Sequence, residues 1–542
     1  MNNTIHQWIV FLVIAVKSIL FMPRLWASQS RRMCKERAII LLCLFFFVPG
    51  SDNNLEAKIP TPKDWTILLY YNADNNMWRK FYQIMDQFKY FAISDNVNVV
   101  VQKDGPFLGD GIRKYLKYSS KREDLGVVYE EGVEYDMGSE TTLAAFVKWG
   151  LENFPAKRTV LVVNGHGAGI VNFSTVGSFL NIPVNSLASS IDDTSGSYFS
   201  DKKLRKELKQ VLGNRKLDLF VYNSCYMGGI EVVHELSQIA EYAVASEDHI
   251  VLVKGNMSQR EEVNKGIGIP VHLLPTFIDN DLEVSTEEVA KFLVKEYERS
   301  YNTFTGTVEQ LQYTLAAYDL SKTSKVSFLY NEMIEEFNQL SSIDPTHYSN
   351  FYREFLSLPK LQVIGYLDLG LVAKAVYNSS SLNSAADLIK YLYSGDFIID
   401  KTIINSENNL AGISIFIPYD FYFYLDKNLT DGINEYFEIS WISNSHKSFI
   451  NNYLKYIRNN KENILVDMIM KYLTTGVIEV FRFNDTQTNF FHLLRTLEGL
   501  VTVYSEDKKK SFFQEYYNQI NGYNNKGPHF EKHKKYAREM AK

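Results

Sequence analysis

Two side chains in this sequence could do chemistry together. Cys225 closes the segment Leu217-Asp218-Leu219-Phe220-Val221-Tyr222-Asn223-Ser224-Cys225, and His166 closes Thr159-Val160-Leu161-Val162-Val163-Asn164-Gly165-His166. Each segment is an apolar run that breaks into small and polar residues at the reactive group. A thiol nucleophile needs a base, usually an imidazole, that is near in space rather than in sequence. Two neighbouring parallel strands, each releasing one such group at its end, would supply the pair. Sulfur would attack a carbonyl while histidine moves the proton. Taken singly, a lone cysteine reads as a small core hydrophobe and a lone histidine as structural. Their matching positions favour catalysis.

The elements that must position them are legible from periodicity. The run 217–222 is β-branched and aromatic and reads as a buried strand. Ile230, Val233 and Leu236 then recur at helical spacing. Cys225 is therefore expected at a strand-to-helix turn, on the carboxyl edge where open α/β sheets place their chemistry. There it would face the amides of a helix N-terminus, which favour a thiolate and an oxyanion. Further strands are expected at 66–72, 97–102, 112–118, 160–163 and 241–246, with helices at 76–91, 141–154 and 202–212. Such alternation predicts a mostly parallel sheet covered on both faces. From 285 onward the pattern turns helical, with helices expected at 284–301, 326–340 and 346–356.

These motifs resemble the clostripain-like cysteine peptidases of the caspase, legumain and gingipain superfamily. His166-Gly167 after one hydrophobic strand, and a small residue with Cys225 after the next, carry the likeness. Trp65-Thr66-Ile67-Leu68-Leu69-Tyr70-Tyr71-Asn72-Ala73-Asp74-Asn75 resembles the family's opening strand, Tyr135-Asp136-Met137-Gly138-Ser139 followed by Thr142-Leu143 and Phe146 its helix before the histidine strand, and Ala245-Ser246-Glu247 its segment after the next strand. The runs 313–320 and 412–418 resemble further family strands, so the likeness spans about 62–420. It implies a caspase-like fold and an endopeptidase that works through a thioester acyl-enzyme. By the same resemblance, His166 and Cys225 form a catalytic dyad and the amides of Gly167 and Cys225 form the oxyanion hole. Asn223, Ser224 and Glu247 would contact substrate. No third catalytic residue is assigned; Asn164 and Asp193 read as turn residues.

The sequence departs from the family at the specificity positions. Relatives usually carry Asp two residues before the nucleophile, where it helps bind Arg or Lys; this chain has Asn223. The segment after Ala-Ser-Glu, which tends to be acidic in relatives, reads His249-Ile250-Val251-Leu252-Val253-Lys254-Gly255, although Glu247 and Asp248 stand close by. An amide gives a guanidinium no ionic partner, so a more neutral residue is expected at the cleavage position. Relatives often mature by cutting after a basic residue between the histidine and cysteine strands. Residues 167–201 contain neither Lys nor Arg.

The chain of 542 residues is too long for one ordinary core. Its 46% hydrophobic and 22% charged content is that of a folded protein, and a net charge of −6 without a long basic run argues against nucleic acid. Arg31, Arg32, Lys35 and Arg37, the apolar run 38–48 and Pro49-Gly50-Ser51 have the layout of a secretory signal, with Met33 as an alternative start. The other reading keeps the apolar stretches as membrane anchors. Export or a cell-envelope location is expected, and contact with a membrane only through this segment. Of three cysteines, Cys34 and Cys43 fall inside the segment, so its removal leaves Cys225 without a disulfide partner. An unpaired thiol in an oxidising compartment suggests a reactive one. The expected organisation is a targeting segment at 1–51, a linker at 52–64, a peptidase domain at 65–425 and a helical region at 426–542. A monomer acting on peptides or proteins is expected, with no required cofactor. Asp74, Asp192 and Asp193 are candidate calcium ligands, and His234-Glu235 lacks the second histidine of a zinc-peptidase motif. The competing readings are a catalytically inactive surface binding protein of the same family and a cysteine hydrolase or transferase of another class.

Overall fold

Apolar runs rich in β-branched and aromatic residues become strands wherever both of their sides can be buried. In the computed structural model the first strands are β1 (Lys63–Asn72), β2 (Val97–Asp104), β3 (Gly111–Tyr115), β4 (Val127–Val133) and β5 (Ala156–Asn164). A short hairpin follows, β6 (Ser189–Asp192) with β7 (Ser197–Phe199), then β8 (Leu217–Asn223), β9 (Ala240–Ala245), β10 (Tyr313–Asp319), β11 (Tyr366–Asp368), β12 (Ile398–Ile404) and β13 (Ser414–Phe416). The structure describes residues 61–167, 189–250, 268–302, 312–359, 365–406, 408–417 and 436–456, with single positions elsewhere. These residues belong to a unit that begins at Pro60; the unit before it, which holds the expected targeting segment with Cys34 and Cys43, lies outside them.

One sheet carries nine strands in the order β12-β10-β9-β8-β5-β1-β2-β3-β4. The central strands β9, β8, β5, β1 and β2 run parallel. Antiparallel pairs extend the sheet at both edges, β3–β4 at one and β10–β12 at the other. The expected α/β architecture therefore holds, with its parallel part confined to the centre.

Alternate residues of each central strand enter two separate cores, as the two-residue period of a strand requires. Tyr70, Val163 and Tyr222 pack with helices Glu140–Asn153, Asp201–Leu212 and Ile230–Leu236. Tyr71, Val162 and Val221 pack with helices Trp78–Gln87, Leu274–Asn280 and Thr286–Asn302 on the other face. Each such side chain contributes about 1.5–3 kcal/mol on burial, so both faces hold the strand register.

The strand order fixes where a site can open. β1 lies between β2 and β5. The helix after β1 covers one face, and the connection after β5 leads to a helix on the other. The chain leaves these two strands in opposite directions, which creates a crevice at their carboxyl ends.

The helices expected at 326–340 and 346–356 are Thr323–Ile343 and Thr346–Ser357. Their Tyr330, Phe337 and Phe351 share one core with Tyr436, Trp441, Phe449 and Tyr453. The boundary expected at 425–426 falls in residues 418–435, outside the described ones. Among the described residues no helix is long and apolar enough to cross a membrane.

Candidate active site

β5 and β8 pair in register, with Asn164 opposite Asn223. His166 and Cys225 each follow by two residues, on adjacent strand ends of the same rim. The next residue makes the juxtaposition direct. A Cβ built on Gly167 would overlap the Cys225 carbonyl oxygen and fall 2.9 Å from Ser224 Cβ. Only glycine allows the two backbones to come this close.

His166 is half-buried. Its Nε2 lies 2.7 Å from Asn76 Oδ1, and its carbonyl accepts the Ser190 N–H at 2.8 Å. Loss of water around the ring pushes its pKa down to about 4. Cys225 is partly buried, and its Sγ accepts the Ile250 N–H at 3.3 Å. Burial pushes the thiol up to about 11; the Ile250 amide opposes this rise and the Asp248 carboxylate adds to it. Burial therefore favours the uncharged form of both groups.

This corrects the expected thiolate. The helix after β8 begins only at Ile230, so Cys225 lies in the turn before it rather than at its N-terminus. The amide on the sulfur comes instead from the segment following β9. That segment also holds the turn: Tyr226 N–H donates to the Asp248 carbonyl at 2.9 Å and Gly228 N–H to that of Ser246 at 2.7 Å. Tyr226 adopts a left-handed φ of 59°, a conformation that costs a non-glycine residue about 1–3 kcal/mol. Its hydroxyl meets the His249 ring at 2.7 Å, and His249 N–H donates to Asp248 Oδ1 at 2.9 Å.

The remaining expected site residues divide into two groups. Asn223 and Ser224 lie beneath the pair, each 4% exposed. Asn223 Nδ2 donates to Asn164 Oδ1 at 2.6 Å, and its Oδ1 accepts the Ile269 N–H at 2.9 Å. Asn164 is thus a strand residue in a buried amide pair, not part of a turn. Glu247 is fully buried and its carboxyl meets Asp368 rather than the nucleophile. Asp368 accepts the N–H groups of Leu371, Ala411 and Gly412 at 2.8, 2.7 and 3.1 Å. Both carboxyls are pushed up, first by desolvation.

The calcium candidates come together only in part. Asp74 and Asp192 meet, and burial pushes Asp192 up to about 6. Asp192 already accepts the N–H groups of Met137 and Ser195, and Asp74 Oδ2 that of Thr194. Asp193 is exposed. One oxygen, Asp74 Oδ1, is left without a partner, where calcium takes six to eight. Among the described residues no three metal-binding side chains converge. His234 is half-buried within helix Ile230–Leu236.

Asn76 was not singled out by the sequence. It follows β1 in Asn72-Ala73-Asp74-Asn75-Asn76, a string that reads as turn composition, and its partner stands 90 residues away.

The profile of the clostripain family matches residues 69–519. The chain belongs to the clostripain family. No curated protein matches the sequence. Three solved structures share the fold of this clostripain-family chain. An inactive zymogen C11 protease from Parabacteroides distasonis has a TM-score of 0.51 at 15% identity, covering 71% of this chain and 98% of its own. A secreted C11 cysteine protease from Bacteroides thetaiotaomicron, iotapain, has a TM-score of 0.51 at 15% identity, covering 72% and 100%. A secreted C11 cysteine protease from the same organism, bound to an irreversible peptide inhibitor, has a TM-score of 0.50 at 17% identity, covering 70% and 98%.

Proposed function

We propose that this clostripain-family protein is an exported cysteine endopeptidase. The observation that supports the reading is the close approach of Gly167, the residue after His166, to the Cys225 carbonyl at two in-register strand ends. Cys225 Sγ attacks the scissile carbonyl as His166 takes the thiol proton. The amides of Gly167 and Cys225 bind the oxyanion. His166 returns the proton to the leaving amine as the C–N bond breaks, and water then hydrolyses the thioester.

Specificity for a neutral residue follows from Asn223. Its amide is uncharged and both of its polar ends are already bonded, so it offers a basic side chain no ionic partner. Export rests on the signal-like layout of 31–51, and no step is assigned to calcium.

The neutral, amide-capped thiol also suits a catalytically inactive binding protein. An irreversible thiol-reactive peptide label separates the two readings, together with a peptide library cut by wild type, Cys225→Ala and His166→Ala. Labelling of wild type, with turnover lower by roughly a thousandfold or more in both variants, supports the peptidase. If no peptide is cut before or after limited proteolysis, the peptidase reading fails.

A further inference from the structure

We infer that Asn76 is a positioning residue for His166, fixing the ring and its tautomer across the crevice between β1 and β5. The inference rests on the peptidase reading for its consequence but not for its geometry.

A carboxamide oxygen accepts hydrogen bonds. With Asn76 Oδ1 at 2.7 Å from Nε2, that nitrogen carries the hydrogen and the lone pair falls on Nδ1. Nδ1 is then the atom that takes the thiol proton and later gives it to the leaving amine. Nε2–H stays on Asn76 throughout. As the ring becomes an imidazolium, this bond becomes charge-assisted and shortens the list of groups that must rearrange.

The loop that presents Asn76 is itself held. Asn75 Nδ2 donates to the carbonyls of Asn72 and Ile191 at 3.2 and 3.3 Å, and Asn75 Oδ1 accepts the Met77 N–H at 3.0 Å. Asp193 N–H donates to the Asp74 carbonyl at 2.8 Å. Ser190 bonds both sides, its Oγ accepting from Asn72 Nδ2 at 3.1 Å and its N–H donating to the His166 carbonyl. One hairpin, β6–β7, therefore braces the Asn76 loop and the histidine backbone together. Asn76 itself is exposed and bears none of this framework, so replacing it tests the bond to the ring and not the fold.

Two variants test the inference. Asn76→Ala is expected to lower kcat about tenfold to a hundredfold with KM little changed. Asn76→Asp keeps the acceptor and adds a charge that favours the imidazolium, so activity returns and the acid limb of kcat/KM moves to higher pH. A merely structural asparagine would move neither limb nor tautomer. A kcat within twofold of wild type in Asn76→Ala, or an unmoved acid limb in Asn76→Asp, overturns the inference. The ring nitrogen shifts of His166, read by NMR in Cys225→Ala protein, give an answer that needs no turnover. The Nε2–H form is expected, and its loss is expected in Cys225→Ala combined with Asn76→Ala. An Nδ1–H form in the Asn76 protein overturns the inference even if peptides are cut. The Nε2–H form in a protein that cuts nothing leaves it standing while the peptidase reading falls.

Discussion

Two buried polar pairs sit side by side on the carboxyl rim, and they solve the same problem differently. At the ends of β5 and β8 the pair is Asn164 with Asn223, two neutral amides. Just past β9 it is Glu247 with Asp368, two buried carboxyls within electrostatic reach of Lys401. The amides lie under the nucleophile and the carboxyls lie away from it. Charge is thereby kept out of the floor of the crevice and placed where backbone amides can hold it.

The acidic pair is the easier half to break. Asp368→Asn removes the carboxylate from three amide donors, each bond to a charged acceptor being worth about 1.5–3 kcal/mol. A large fall in Tm is expected. Glu247→Gln keeps a donor toward Asp368 and should cost little near pH 5. Both carboxyls titrate above their unfolded values, so their contribution is complete at low pH and is lost as pH rises through the folded pKa. Chemical denaturation at several pH values should show this alkaline loss in wild type and a flatter profile in Glu247→Gln.

The neutral half can be turned acidic. In Asn223→Asp the Ile269 N–H still has an acceptor, and the Asn164 amide can rotate to present its unpartnered Nδ2. The variant should fold with a modest loss of stability and gain cleavage after Lys or Arg in a peptide library. An unchanged preference would mean that the floor of the crevice does not read charge. The smallest effect is kinetic. Alkylation of Cys225 by a small reagent should keep rising with pH toward about 11, where a free thiol levels off near about 8.5. A plateau near the free value would show that burial does not govern the thiol.

The placement of His166 and Cys225 just past two strand ends was legible because long apolar, β-branched runs stop abruptly there. The family resemblance added the caspase-like fold. What stayed hidden had weaker patterning or depended on distant partners. β4 is almost wholly exposed and carries Glu130 and Glu131, so no apolar period marks it. β12 pairs at the far edge with alternating half-buried residues. The expected thiolate assumed that the helix starts at the cysteine, whereas it starts after a turn tied to the segment past β9. Glu247 stands in a motif that resembles the family's, yet only Asp368, far along the chain, shows what its carboxyl touches. Asn76 was concealed in the same way by the 90 residues between it and His166.

The bracing hairpin has a consequence for any chain break in 168–188. Such a cut would leave β6–β7 covalently on the fragment that carries Cys225, while its bonds to Asn72, Asn75 and His166 grip the fragment that carries the histidine. Together with the β5–β8 ladder, this would make the two pieces behave as one particle, comigrating on a sizing column and parting only in denaturant.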